Sequence, residues 1–293
     1  MSRVAENPSA TPRELSQIAR RVAEEAAVHV RARRVELFPA SGHTGGAGAV
    51  STKSTPTDPV TVADTETEQL IRGLLARERP GDTVLGEEEG GSDEIPDGVR
   101  WVVDPIDGTV NFLYGVPAYA VSVAAQVDGV SLGGAVVDVA RERTYWAAVG
   151  EGAWCQDRGE ASPRRLQANP VDDVSLALIA TGFAYSEGRR RAQGAVLAGL
   201  LPQVRDLRRM GAAALDLCMV AAGAVDGHFE HGLSPWDWAA GALIAAEAGA
   251  VVVLPPATSR GSDGYPTVAV APGIAQEFLA LLEECGGTVC LPE

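Results

Sequence analysis

Two aspartates three residues apart, Asp104 and Asp107, separate an apolar run from a Gly-Thr pair in the segment Trp-Val-Val-Asp-Pro-Ile-Asp-Gly-Thr-Val-Asn-Phe at 101–112. Trp101, Val102 and Val103 read as the end of a buried strand, and Pro105 and Gly108 then favour a tight turn. A turn at a strand's end aims both carboxylates and an intervening backbone carbonyl at one point. Hard divalent cations take such oxygen clusters. The Gly108 and Thr109 amides follow at a helix start, where an anion can bind. Metal ligands beside an anion cradle point to phosphate-ester chemistry, although Asp-Pro and Asp-Gly are also ordinary surface-turn dipeptides.

Other acids stand at comparable places. Glu87 follows Thr83-Val84-Leu85-Gly86, a short strand by its composition, and opens a run of three glutamates in which Glu88 is the next candidate. Asp237 sits between Trp236 and Trp238, next to a helix that reads as nearly all apolar. An unpaired carboxylate buried there is costly, so it needs a helix N-terminus or a cation as partner.

The chain has 293 residues, a net charge of −15 and 46% hydrophobic residues, of which few are aromatic. That length supports one large unit or two smaller ones with a shared interface, and Ala, Val and Leu must fill the core. The acidic balance argues against non-specific nucleic-acid binding but permits a phosphorylated substrate, because bound metal ions invert the local field. Four cysteines in no C-x-x-C pair read as free thiols of a reducing, cytoplasmic compartment. A polar start without a signal-peptide core, and the lack of any run near the ~20 apolar residues of a spanning helix, give no sign of export or of membrane partners.

The positioning elements are legible in outline. Thr11-Pro12-Arg13-Glu14 is a capping box with Pro at the first helical position, and apolar residues at helical spacing continue to about Glu36. Residues 39–59 read as a long mobile loop containing Lys53. Asp64 or Thr65 caps a second helix ended by Pro80. Alternating segments at about 118–127, 132–139 and 143–149 predict antiparallel strands, with Asp128-Gly129 as a hairpin turn. Beyond a soft boundary near residue 160, strands at about 175–181, 250–254 and 267–270, a short strand or connector at 207–211, and helices at about 187–201, 212–223, 236–248 and 273–284 predict a layered α/β half. The division is thus 1–160 with most acids and 161–293 with Asp237, forming one catalytic unit. His228 and His231 are expected at the surface, and Arg208 and Arg209 either gather anionic substrate or form a solvated pair.

W-V-V-D-P-I-D-G-T-V-N-F at 101–112 and W-D-W-A-A-G at 236–241 resemble the two signature motifs of the inositol monophosphatase family of magnesium-dependent, lithium-sensitive phosphomonoesterases. G-E-E at 86–88 and K-S-T-P-T-D-P-V-T-V-A-D at 53–64 resemble further family segments in the same order, and A-A-L-D-L-C-M-V-A-A-G at 213–223 is similar to the actinobacterial SuhB-type branch. The resemblance spans roughly residues 12–285. It implies an α/β fold of the α+β type, a layered αβαβα sandwich, usually homodimeric. It also implies two or three Mg²⁺ ions: Glu87, Asp104 and the Ile106 carbonyl at the first, Asp104, Asp107 and Asp237 at the second, and Glu87 near a weaker third. Asp64 and Thr109 would deprotonate the attacking water and Lys53 would approach the metal–water network. Gly108 and Thr109 would hold phosphate, while Asp107, Ala213 and Glu230 would face substrate hydroxyls. Li⁺ would inhibit at a metal position. Relatives hydrolyse histidinol-phosphate, fructose-1,6-bisphosphate, 3′-phosphoadenosine-5′-phosphate or NADP with the same ligands, and some bacterial relatives are transcription-associated binding proteins. A small phosphorylated polyol such as inositol 1-phosphate remains the leading expectation, with no direct nucleic-acid binding.

Overall fold

The computed structural model describes residues 10–38, 50–52, 59–92 and 94–291. The first helix, α1 (Pro12–Leu37), begins at the expected capping box: the Thr11 hydroxyl accepts the Glu14 amide at 3.3 Å, and the Glu14 carboxylate accepts the Thr11 amide at 2.8 Å. Residues 39–59 are not loop throughout, because β1 (Val50–Thr52) pairs antiparallel with β2 (Pro59–Thr61). The rest of that segment, Lys53 included, lies outside the described residues. Helix α2 (Val62–Glu78) is capped by Thr61, three residues before the expected Asp64. Asp64 is instead the acid of the capping box and accepts the Thr61 amide at 2.9 Å.

Then follow β3 (Thr83–Gly86), β4 (Val99–Asp107), the short α3 (Thr109–Tyr114), β5 (Ala120–Val127), β6 (Val130–Asp138), β7 (Arg143–Ala148), β8 (Gly152–Asp157) and β9 (Arg164–Arg165). They build a seven-stranded sheet in the order β3-β4-β5-β6-β7-β8-β9, parallel only between β3 and β4. The Asp128-Gly129 hairpin turn is present, with φ of 51° and 79° at the two residues, the left-handed pair that two-residue hairpins demand. Strands β8 and β9 were not anticipated, because their run ends in Gln, Asp and Arg on the rim of the sheet.

The second half contains β10 (Leu178–Thr181), α4 (Glu187–Leu200), β11 (Asp206–Arg208), α5 (Ala213–Ala221), β12 (Gly227–His231), α6 (Pro235–Glu247), β13 (Val251–Val253), β14 (Pro266–Val270) and α7 (Ala275–Glu284). Its five-stranded sheet has the order β11-β10-β12-β14-β13. Strand β12 is its centre and was missed, since Gly-His-Phe-Glu-His does not look like a core strand. The strand period explains it: Phe229 packs into the apolar layer under α4 and α7, while His228 and Glu230 point the other way, where one ion-pair distance links His228 to Asp216 of α5.

The layers stack as α1 and α2, the large sheet, α5 and α6, the smaller sheet, then α4 and α7. This is the expected αβαβα sandwich. The large sheet is covered on both sides, so its strands are apolar on both faces and alternate by size. Val121 and Val123 of β5 meet α1, whereas Ala120 and Ala124 meet the α6 layer. Small residues let α6 come close: a Cβ on Gly134 of β6 would lie 3.1 Å from Ala240 Cα, and one on Gly241 would lie 2.9 Å from Leu217 Cβ of α5.

Candidate active site

The end of β4 is bent into the shape the acids need. Its register against β5 shifts between Asp104 and Asp107, as a bulged strand end does. Asp104 Oδ1 accepts the Ile106 amide at 3.0 Å, which closes the turn locally. Gly108 then adopts φ 88°, and a Cβ there would sit 2.9 Å from the Ala118 carbonyl oxygen. Both facts require glycine.

Three other elements converge on this turn. Asp107 Oδ2 accepts the Ala214 amide of the first turn of α5 at 2.8 Å. Asp237 lies within the first turn of α6, where its carboxylate accepts the Ser234 amide at 2.7 Å. Asp64, fully buried on α2, receives the Thr109 hydroxyl at 3.0 Å; the same hydroxyl lies 3.0 Å from the Ile106 carbonyl oxygen, so its one proton serves either acceptor.

These groups face a cavity of about 600 Å³ whose wall includes Glu87, Asp104, Ile106, Asp107, Gly108, Thr109, Ala213, Glu230 and Asp237. Every residue that the family resemblance assigned to the site, and that lies in the described part of the chain, therefore lines the cavity or, as Asp64 does, contacts a residue that lines it. One oxygen each from Asp104, Asp107 and Asp237 lies within 4.8 Å of the others. Glu68, an acid that no sequence signal singled out, is fully buried beneath the glutamate run and accepts the Glu88 amide at 2.7 Å and the Glu89 amide at 3.0 Å. Glu89 turns to Arg72 at 3.4 Å, while Glu87 faces the cavity.

The electrostatics are those of crowded anions. Burial, with the charge of Glu87 adding to it, pushes Asp64 up to about 6. Burial raises Asp107 and Asp237 as well; the Ala214 amide offsets part of it at Asp107, and Glu87 and Asp107 add to it at Asp237. Arg209 lines the cavity and pulls Asp107 and Glu230 down, but burial dominates and leaves Glu230 at about 7. Arg208 is exposed and pairs with Asp206 at 2.6 Å. The two histidines are not at the surface: His228 and His231 are buried, and His231 Nε2 lies 2.9 Å from the Gly287 carbonyl oxygen. They sit on the central strand that was missed, which is why their polarity misled.

Carboxylates held this close, with an all-oxygen donor set, suit a hard divalent cation, which would offset the burial, and the smaller mutual repulsion, that raise them. The inositol monophosphatase family model matches residues 11–293. The chain belongs to the inositol monophosphatase family.

It is 56% identical over 284 residues to the inositol-1-monophosphatase of Mycobacterium leprae, covering 96% of this chain and 97% of that one. The solved structure of Mycobacterium tuberculosis SuhB superposes with a TM-score of 0.80 at 49% identity, covering 96% of this chain and 100% of that one. A Pasteurella multocida relative named Nus factor SuhB is 37% identical over 259 residues, 87% of this chain and 93% of that one. Family and relatives make the protein a phosphatase of a metal-dependent kind. No helix among the described residues is long and apolar enough to cross a membrane.

Proposed function

We propose that this phosphatase hydrolyses inositol 1-phosphate, or a small polyol phosphate close to it, and that its metal is Mg²⁺. The reading is carried by the convergence of Asp104, Asp107 and Asp237 within 4.8 Å on the cavity that Thr109 and Glu230 also line. Glu87, Asp104 and the Ile106 carbonyl would hold one ion, and Asp104, Asp107 and Asp237 a second. When bound, such ions would supply the positive charge that acidifies a water and neutralises the leaving oxygen.

The protein's own groups do the rest. The Thr109 hydroxyl, donating to Asp64, offers its lone pairs to a proton of the attacking water, and the proton passes on to Asp64. A carboxyl raised by burial suits that exchange near neutral pH. The Gly108 and Thr109 amides, at the start of α3, hold the phosphate oxygens. Ala213 shapes the substrate rim and Glu230 accepts hydrogen bonds from ring hydroxyls. The name of the Mycobacterium leprae relative, inositol-1-monophosphatase, supports the choice of inositol phosphate over other esters. Inhibition by Li⁺ and a homodimeric assembly belong to the same proposal.

The test is phosphate release from inositol 1-phosphate, fructose-1,6-bisphosphate, histidinol-phosphate, 3′-phosphoadenosine-5′-phosphate and NADP, with Mg²⁺ titrated and Li⁺ added. Preference for inositol 1-phosphate is expected, and preference for another ester would keep the mechanism and replace the substrate. The Pasteurella relative's name motivates a second reading, a transcription-associated partner role. Capture of RNA polymerase that survives Asp104→Asn and metal removal would support it.

A further inference from the structure

Behind Glu230, on the face of β12 turned to α5, lie two polar side chains for which the reaction has no use. His228 is fully buried and Asp216 of α5 is 1% exposed. Neither ring nitrogen of His228 and neither carboxylate oxygen of Asp216 has a hydrogen-bond partner. Their closest approach, His228 Nδ1 to Asp216 Oδ2, is 3.8 Å, too long for a hydrogen bond. Yet one ligand atom from each of Asp216, His228 and Glu230 lies within 4.8 Å of the other two.

Buried polar groups ordinarily find partners, yet the His228 nitrogens and the Asp216 oxygens have none, and one atom from each residue joins a Glu230 oxygen in this cluster. Burial alone lowers His228 to about 3, so its ring is neutral and keeps a free lone pair. Burial, reinforced by the charges of Glu230 and Asp107, raises Asp216 well above the usual carboxylate range. One neutral nitrogen donor and two carboxyl groups, each raised chiefly by burial, make a donor set suited to a cation.

We infer that Asp216, His228 and Glu230 form a second cation site, distinct from the aspartate cluster, for a divalent metal of the zinc type. Zinc accepts mixed imidazole and carboxylate ligands, whereas Mg²⁺ prefers oxygen alone. The ion reaches the site from the cavity, because Glu230 lines that cavity while the other two residues do not. An ion held there draws the Glu230 carboxylate back from the substrate rim. This consequence rests on the role proposed above for Glu230; the site itself does not.

The full chain, stripped with chelator and kept in excess Mg²⁺, is titrated with Zn²⁺ and its zinc X-ray absorption spectrum recorded. One zinc whose first shell includes an imidazole nitrogen at about 2.0–2.1 Å is expected. His228→Phe, which preserves bulk, should lose the imidazole shell and weaken that zinc at least about tenfold, and His231→Gln should keep it. His228→Gln and Asp216→Asn, with folding checked by circular dichroism, guard against a misfolded variant. Wild-type zinc without an imidazole ligand, or an unchanged imidazole shell in His228→Phe, would overturn the site. Zinc that raises KM for inositol 1-phosphate in the wild type but not in His228→Phe would establish the link to Glu230, and an equal rise in both would overturn that link. Neither result alters the phosphate-release test of the reaction itself.

Discussion

The Thr109 hydroxyl and the Asp64 carboxylate meet at 3.0 Å although 45 residues separate them. One opens a helix at the end of β4 and the other is the capping-box acid of α2 on the outer layer of the sandwich. The contact makes Asp64 both the acid that holds the Thr61 amide and the acceptor behind Thr109. Thr109→Ala should therefore lower kcat by roughly 10²–10⁴ with little change in Mg²⁺ dependence, while Thr109→Ser keeps most of the rate. Steady-state kinetics across a Mg²⁺ series checks this, and an alanine variant with near-normal kcat would remove Thr109 from the proton path.

Asp104→Asn should abolish turnover while leaving the fold near intact, because it removes one of several repelling carboxylates. Asp237→Asn should raise the Mg²⁺ needed for half-maximal rate at least about tenfold, since an amide still accepts the Ser234 amide but carries no charge. Melting curves in EDTA separate the two effects. A normal Mg²⁺ titration in Asp237→Asn would place that residue outside the metal set.

Metal-free protein should lose stability as pH rises through neutrality. Asp64 at about 6 and Glu230 at about 7, with Asp107, Asp216 and Asp237 also raised, bind protons more tightly folded than unfolded. Stability from such groups is full below the unfolded pKa and is lost as pH passes the folded one. His228 at about 3 and the lowered His231 act in the opposite sense below about 6.5, where the unfolded rings still take protons. The fall is thus cleanest from about pH 6.5 upward. Thermal melts in EDTA should show Tm dropping over that range and saturating Mg²⁺ should remove the drop; a Tm in EDTA that rises there would contradict the crowded-anion picture.

Gly108→Ala should destabilise the chain by about 1–2 kcal/mol from left-handed backbone alone, and by more because its Cβ would sit 2.9 Å from the Ala118 oxygen. Denaturant unfolding measures the loss. Activity should fall further than stability, since the substitution displaces Ile106, Asp107 and Thr109 together.

Local chemistry made much of this readable. Thr11 to Glu14, Asp128-Gly129 and the apolar periods carried their own signals, and Asp104, Asp107 and Asp237 stood out as acids in apolar company. The family resemblance supplied Asp64, Ile106, Ala213 and Glu230, which no spacing would have chosen. What stayed hidden depends on contacts across the chain. Thr61 and not Asp64 caps α2, because both residues suit a cap and only the paired β2 fixes where the helix starts. Strand β12 was invisible because its polar face looks onto α5 and the cavity. Glu68 had no signal, since an acid on a helix reads as solvated until the loop it clamps folds over it.

Gly134 touches none of the four acids, yet it sets how far one of them stands from the rest. It leaves room for Ala240, and thereby fixes the depth at which α6 rests on the large sheet and presents Asp237 to Asp104 and Asp107. Cation affinity in this protein is to that extent a matter of clearance between layers, tuned by an absent side chain on the far side of a helix. A branched residue at 134 would act as a shim, widening the gap and loosening the ion without altering any ligand, so the same ligand set on a differently spaced sandwich would hold its metals differently.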